Sequence, residues 1–355
     1  MNWLPAFGLQ HNIEARIAAA LLVSVAFVAT ASAQSSVDRI RRQNGVDSGK
    51  ITTITPLGVT ISKGAVESTI PSEDIESISL AGEPAELTSA RNAIQAGRPK
   101  EALETLQKAP ADASGREEIA ADIDFYSVLA KAHLAMAGQG TPEAAATEVR
   151  GFMARRNKSF HIPQSIELLG DLLAAGGQYA NARTEYAKLQ KARSPYFALK
   201  SSLLLGRAWQ AEGDHAKALA EFDKVLASKE TSPLLEPLRL AATLDRAVSQ
   251  AAGGKVDESA AAIGAIIAKA DPEDAKLLAR AYNALGDCYL KSGDPRAALF
   301  AFLHVDLLYR QDAEAHAKAL HELVGLWKTA GRDSRSQEAA QELAEKYPNS
   351  RWAKL

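Results

Sequence analysis

Residues 279–310 read ARAYNALGDCYLKSGDPRAALFAFLHVDLLYR, and this stretch decides the fold. Leu285 and Tyr289 are four residues apart, which places both side chains on one face of a helix. Ala298 and Phe302 repeat the same spacing further along the chain. The stretch therefore predicts two helices, each with one apolar face.

Gly293, Asp294 and Pro295 predict the turn between these two helices. Glycine commonly ends a helix, aspartate caps the start of the next one, and proline suits the first helical position. The two helices are then antiparallel neighbours in a hairpin. Because one hairpin cannot bury its apolar face alone, we expect at least about three to stack on one another.

The order of large and small residues in this stretch resembles the tetratricopeptide repeat, a helix-turn-helix unit of about 34 residues. The residues that carry the resemblance are Tyr282, Leu285, Gly286, Tyr289, Ala298 and Phe302. Small residues let the two helices approach, and the aromatic rings fill the space beside them. The resemblance implies a mainly α-helical solenoid of stacked hairpins.

Weaker copies of the pattern precede and follow this stretch. Leu169-Gly170 and Leu205-Gly206 mark two further good matches, close to one repeat length apart. We expect about seven hairpins over residues 85–348, with residues 349–355 as a C-terminal cap. The tail KYPNSRWAKL resembles segments of exported bacterial proteins that contain these repeats.

An apolar run at residues 17–28, IAAALLVSVAFV, follows Arg16 and precedes small residues at 31–33. This pattern is typical of a secretory signal peptide, so residues 1–33 are predicted to be a signal that is cleaved after Ala33. The chain would then be exported to the periplasm or the cell envelope. An uncleaved N-terminal anchor is the alternative. No later segment is long and apolar enough to span a bilayer.

Residues 34–84 have a different pattern from the helical part. Short runs rich in Ile, Val and Thr are separated by Gly and Pro, as in KITTIT at 50–55 and GVTISK at 58–63. The alternation of Val59 with Ile61 suits a strand that buries one face. We expect a small all-β module of four or five strands, a curled sheet or barrel of SH3-like size, followed by a hinge.

The sequence lacks the motifs of known catalytic chemistry. It holds no G-x-S-x-G, no G-x4-G-K-[ST] and no G-x-G-x-x-G after a strand. His321-Glu322 begins like a zinc-protease motif, but Gly325 stands where the second histidine would be. We therefore predict no enzyme activity, no catalytic or metal site and no cofactor. The net charge of −2 argues against nucleic acid as a partner.

The resemblance also implies which residues face a partner, because the first helix of each hairpin lines the concave surface in this family. Those residues are polar and of mixed charge: Gln164, Glu167 and Asp171, then Lys200, Arg207 and Gln210, then Arg280, Asn283, Asp287 and Lys291. The fifth hairpin instead places apolar residues there: Ala241, Leu244, Val248 and Ala251. These predict either an apolar anchor pocket or packing by neighbouring helices.

The sequence favours a non-enzymatic exported scaffold or adaptor that binds a protein or peptide through the concave face of the array. The candidate partner-binding residues are Lys200, Arg207, Gln210, Arg280, Asn283, Asp287 and Lys291. The alternative is an envelope- or glycan-binding protein, in which the β module binds and the helical array is a spacer.

Overall fold

The structure is a computed structural model, and it describes residues 37–109, 115–192 and 194–355. These residues belong to one compact unit, Ser35–Leu355. The predicted signal at residues 1–33 lies outside the described residues and stays a prediction.

The β module is a five-stranded antiparallel sheet in the order β4-β3-β2-β1-β5. Its strands are β1 Asp38–Arg42, β2 Gly45–Thr55, β3 Gly58–Lys63, β4 Val66–Pro71 and β5 Ile75–Ser79. The long strand β2 pairs with β1 through its first half and with β3 through its second half. The module is therefore the small antiparallel sheet of four or five strands that the sequence predicts.

The strands form where the alternation of Ile and Val predicts them. Ile40, Val59, Ile61, Ile70 and Ile78 are buried on one side of the sheet, while their neighbours along each strand are more exposed. Each side chain that leaves water in this way contributes roughly 1.5–3 kcal/mol. A register shift in β2 after Ile51 bends the strand between its two partners.

The rest of the described chain is mainly α-helical, as predicted. Its fourteen helices pair into seven hairpins, numbered here in chain order. Hairpins 1 to 4 are α1 Ala85–Gln95 with α2 Pro99–Leu106, α3 Glu117–Met136 with α4 Pro142–Arg155, α5 Ile162–Ala175 with α6 Tyr179–Tyr186, and α7 Pro195–Glu212 with α8 His215–Ala227. Hairpins 5 to 7 are α9 Glu236–Ala252 with α10 Val256–Lys269, α11 Ala275–Lys291 with α12 Pro295–Leu308, and α13 Ala313–Thr329 with α14 Asp333–Lys346.

Three hairpins are held by the contact between glycine and ring that the sequence predicts. A Cβ atom at Gly170, Gly206 or Gly286 would lie no more than 2.6 Å from the ring sixteen residues later, which belongs to Tyr186, Phe222 or Phe302. Phe222 and Phe302 are fully buried, so these rings fill the space that the missing side chain leaves. In hairpin 6 the turn has the predicted form, with Gly293 in a left-handed conformation and Asp294 accepting the backbone N–H of Ala297.

The β module shares its core with the helical array. Buried residues of the sheet and of hairpins 1 to 4 form one continuous apolar cluster. Two polar contacts reinforce this joint: Arg116, just before α3, forms an ion pair with Asp38 of β1, and Ser194, the cap of α7, donates to Glu73. The module is thus packed onto the first half of the array.

The array curls far enough for its C-terminal segment to contact hairpin 2. Asn349 Nδ2 donates a hydrogen bond of 2.5 Å to the backbone oxygen of Gly138, in the turn after α3. On the other side of this segment, Trp352 packs against hairpin 7 and donates to Glu314. The C-terminal segment therefore links hairpin 7 to hairpin 2. Among the described helices, none is both long and apolar enough to cross a bilayer.

Candidate functional site

Two cavities lie on the inner side of the array. The first, here called the module cavity, has a volume of about 470 Å³ and lies between the β module and the first helices α1, α3, α5 and α7, with Lys276 of α11 at its border. The second, the C-terminal cavity, has a volume of about 820 Å³ and is lined by hairpins 2 to 4 and the segment around Asn349. Asp171 of α5 lines both cavities.

The predicted groove residues are largely paired with one another across neighbouring hairpins. Lys200 of α7 forms an ion pair of 2.8 Å with Glu167 of α5. Burial lowers the pKa of the Lys200 ammonium, but the attraction of Glu167 outweighs it and the pKa is raised. Because this pair bridges hairpins 3 and 4, it helps to fix their stacking as well as the polarity of the inner surface.

The most connected group on this surface is Asp245 of α9. Its carboxylate accepts from Arg207 Nε of α7 at 2.7 Å and from Arg280 of α11, so it bridges hairpins 4 and 6. Gln210 adds hydrogen bonds of 2.8 Å to the backbone oxygen of Asp245 and to Ser249. Asp245 is almost completely buried, and a carboxylate that bridges two guanidiniums in this way is expensive to remove.

The two arginines respond differently to this shared carboxylate. Burial lowers the pKa of Arg207, but Asp245 outweighs burial and the pKa is raised. Burial and the positive charge of Arg207 together lower the pKa of Arg280. Asp171 and Glu167 also favour the charged form of Arg207, and Asp312 favours that of Arg280.

The remaining candidate residues lie toward hairpin 7. Asn283 of α11 is buried and donates to the backbone oxygen of Ala315 at 2.8 Å, and Asp287 forms an ion pair with Lys318. Lys291 is exposed at the end of α11. The structure therefore gives Asn283 a structural contact between hairpins. Whether any candidate residue touches a partner stays a prediction.

The inner face of hairpin 5, which the sequence predicts to be apolar, also carries the polar residue Asp245. Leu244 is buried in the core shared with hairpin 6, so packing by neighbouring helices explains it, whereas Val248 and Ala251 line a cavity of about 370 Å³ together with Ala284 and Leu290. Asp245, which completes the polar surface in this hairpin, is not among the residues that the sequence predicts for the groove. The available signal was the spacing of Asp245 and Ser249, which are four residues apart and therefore lie on one face of α9.

Asp171 is an acidic group of the site that forms no ion pair among the described residues. Burial and the neighbouring carboxylate of Glu167 raise its pKa to about 6, although Tyr186 donates a hydrogen bond of 2.7 Å to it. Lys276 and Arg207 lie near enough to act in the opposite direction, but neither forms an ion pair with Asp171 among the described residues. A carboxylate without an ion pair that lines two cavities is a natural recognition group.

A second buried network supports the wall of the module cavity. Arg91 donates to Glu83 at 2.6 Å and to Asp122 at 2.7 Å, and Asp122 also contacts His161 Nε2 at 3.2 Å. His161 is stacked on Phe125 with 3.6 Å between ring centroids and is almost fully buried. This arrangement leaves the imidazole no open face for a substrate, so the network is structural.

Asp306, His316 and Glu342 bring one possible metal-ligand atom each within 4.8 Å of one another. Lys346 forms an ion pair of 2.6 Å with Glu342, and Arg310 lies 3.4 Å from Asp306. The hydrogen bond from His316, against the opposing effect of burial, lowers the pKa of Asp306. Two cations already neutralise these carboxylates, so an ion-pair network accounts for the cluster.

The fold and the inner surface define a class of protein, a solenoid of helical hairpins with a small N-terminal β module. Residues 279–312 match the family model of the tetratricopeptide repeat, the repeat that the sequence predicts. The match covers α11 and α12, so hairpin 6 is a tetratricopeptide repeat unit. A search of curated proteins finds no significant match.

Several solved structures are similar to this chain at low identity. A tetratricopeptide repeat protein from Parabacteroides merdae is 16% identical, with 74% of this chain and 92% of that chain covered and a TM-score of 0.48. NprR in complex with its cognate peptide NprX is 14% identical, covering 74% and 77%, with a TM-score of 0.48. Rap protein with competence and sporulation factor is 12% identical, covering 76% of each chain, with a TM-score of 0.47. Similarity of this size supports no statement about function.

Proposed function

We propose that this protein is a non-enzymatic exported scaffold that holds an extended segment of a protein or peptide on the inner surface of its array. The observation that carries the proposal is the pair of cavities that share Asp171 as a lining residue. Polar residues of the first helices and of the segment around Asn349 line them, so one segment could contact several hairpins at once.

The size of the cavities favours an extended segment over a folded domain. Volumes of about 470 and 820 Å³ fall in the range of roughly 300–1,000 Å³ that is usual for small ligands. A short stretch of chain fits such a volume, whereas a domain does not. An extended segment would also satisfy the mixed donors and acceptors of the surface through its own backbone.

The alternative, binding of glycan or envelope by the β module, has less support. Residues 37–84 contain no aromatic side chain that could stack on a sugar ring. One side of the sheet is also occupied, because it shares its core with hairpins 1 to 4. The module is better explained as a wall of the module cavity.

A photo-crosslinking experiment in the native compartment tests the proposal. A photoreactive amino acid is placed at Gln95 or Lys276, which are exposed residues on the border of the module cavity. Matched control positions are Lys224 and Glu338, which are exposed on second helices and line no cavity described above. We expect one common protein adduct from both inner positions and none from the controls.

Adducts from the outer positions alone, or different adducts at every position, would contradict an inner binding surface. Arg207 and Arg280 are poorer probes, because both hold Asp245 and their loss changes stability as well as binding. The crosslinking positions avoid this problem, since neither side chain forms an ion pair among the described residues. Fractionation of the same cells checks the predicted export.

A further inference from the structure

The charge of the module cavity identifies the chemistry of the group that it accepts. Four carboxylates line it, from Glu73, Glu76, Glu167 and Asp171. Two lysines face them, Lys200 and Lys276. The guanidinium of Arg91 also lines the cavity but is already paired with Glu83 and Asp122, which do not line it. The lining therefore has an excess of negative charge.

The carboxylates are not equally free to meet a ligand. Glu167 is paired with Lys200, and Glu73 accepts a hydrogen bond of 2.6 Å from Ser194. Glu76 is exposed and forms no ion pair among the described residues, and Asp171 has only the neutral hydroxyl of Tyr186 as its hydrogen-bond donor. Glu76 and Asp171 are thus the two groups that an incoming cation would neutralise.

Aromatic rings and unpartnered polar atoms in the same lining point independently to a ligand. Tyr126, Phe160 and Tyr196 contribute rings, and ring faces attract cations when water is excluded. Arg91 already lies 5.4 Å from the centre of the Tyr126 ring, and Lys200 lies 5.9 Å from that of Tyr196. Ser72 Oγ and Arg91 Nε are buried and have no hydrogen-bond partner among the described residues. The whole Arg91 residue is only 6% exposed. A peptide could supply both missing partners, an ammonium group for Ser72 and a backbone carbonyl for Arg91.

We propose that the module cavity binds a lysine or arginine side chain of the extended segment, held between Glu76 and Asp171 beside the aromatic rings. This inference rests on the proposed function and specifies which part of the partner enters the array. Lys276, which borders the cavity and carries the same charge, opposes the incoming group and limits its affinity.

Calorimetric titration of the full chain with blocked trilysine and blocked triglutamate tests the charge preference. We expect saturable binding of trilysine at low salt and at least about tenfold weaker binding of triglutamate. Glu76→Gln and Asp171→Asn should each weaken trilysine binding about fivefold, the size of one lost ion pair. Glu338→Gln, on the surface of α14, is the matched control and should change nothing.

Lys276→Met provides the opposite test, because it removes a competing cation without removing a known contact. Trilysine should then bind about threefold more tightly. Equal affinity for the two peptides, or unchanged trilysine binding in both Glu76→Gln and Asp171→Asn, overturns the proposal. Inner crosslinks without a preference for trilysine would support the proposed function and contradict the cationic ligand. A preference for trilysine without inner crosslinks would support the cationic ligand and contradict the proposed function.

The pH dependence of trilysine binding gives a second readout for Asp171. The charged or titratable groups that face it are Glu167 on its own helix, Tyr186 of α6, Arg207 of α7 and Lys276 of α11. Since its pKa lies at about 6, Asp171 takes up a proton as the pH falls from 7.5 to 5. Trilysine binding should weaken over this range and weaken less in Asp171→Asn; identical pH profiles would contradict the assigned role.

Discussion

Hairpins 5 and 6 are neighbours with the same backbone plan and very different sequences. Hairpin 6 carries the repeat motif, and its helices close on the contact between Gly286 and Phe302. Hairpin 5 has no such pair. Its two helices meet in a core that contains Ala247 and Ile263, and both residues are buried. It contributes instead Asp245, which joins the helices on either side. The motif therefore reports packing within a hairpin, whereas the polar contacts between hairpins follow no motif.

The largest expected effect comes from the ring that closes hairpin 6. Phe302→Ala should lower the free energy of unfolding by about 4 kcal/mol, because it opens a cavity beside Gly286. Ile263→Ala, at the fully buried position in hairpin 5, should cost about 3 kcal/mol. Urea unfolding followed by circular dichroism measures both. A larger loss for Ile263→Ala would mean that the motif does not mark the better-packed hairpin.

The contact between hairpins comes next in size. Asp245→Asn should cost about 3 kcal/mol, because two partly buried guanidiniums lose their shared carboxylate. Asp287→Asn is the control, since Asp287 pairs with Lys318 at a more exposed site and should cost less than about 1 kcal/mol.

A double variant separates charge from packing at this position. Adding Arg280→Met to Asp245→Asn removes one of the two uncompensated cations and should restore part of the lost stability. If the double variant is less stable than Asp245→Asn alone, Arg280 contributes through its packing and the charge explanation is wrong. Urea midpoints of the three proteins decide between these outcomes.

The same contrast explains what the sequence could and could not predict. Gly286 and Phe302 lie within one hairpin, so their spacing along the chain already shows that they meet. Arg207 and Asp245 are 38 residues apart, and Arg280 and Asp245 are 35 residues apart. These residues meet only because hairpins 4, 5 and 6 stack on one another. The hydrogen bond from Asn349 to Gly138 spans 211 residues and depends on the curvature of the entire array. The repeat, the β module and the polar character of the groove were thus predictable, while Asp245 and the closure were not.

The smallest expected effects come from replacing glycine with alanine. The change in stability should have opposite signs in the two hairpins. Gly264 lies inside α10 of hairpin 5, and a Cβ added to it would meet nothing within 4 Å. Gly264→Ala should therefore raise stability by up to about 1 kcal/mol, because alanine loses less backbone entropy than glycine in a helix. Gly286→Ala in hairpin 6 should instead lower stability by about 1–3 kcal/mol, because its Cβ would lie 2.6 Å from the ring of Phe302. Thermal melts of both variants measure the two signs. If Gly286→Ala is stabilising, the ring of Phe302 can shift at little cost. The close approach of the ring would then not require glycine at this position, and the loss of backbone entropy would decide the effect of the substitution.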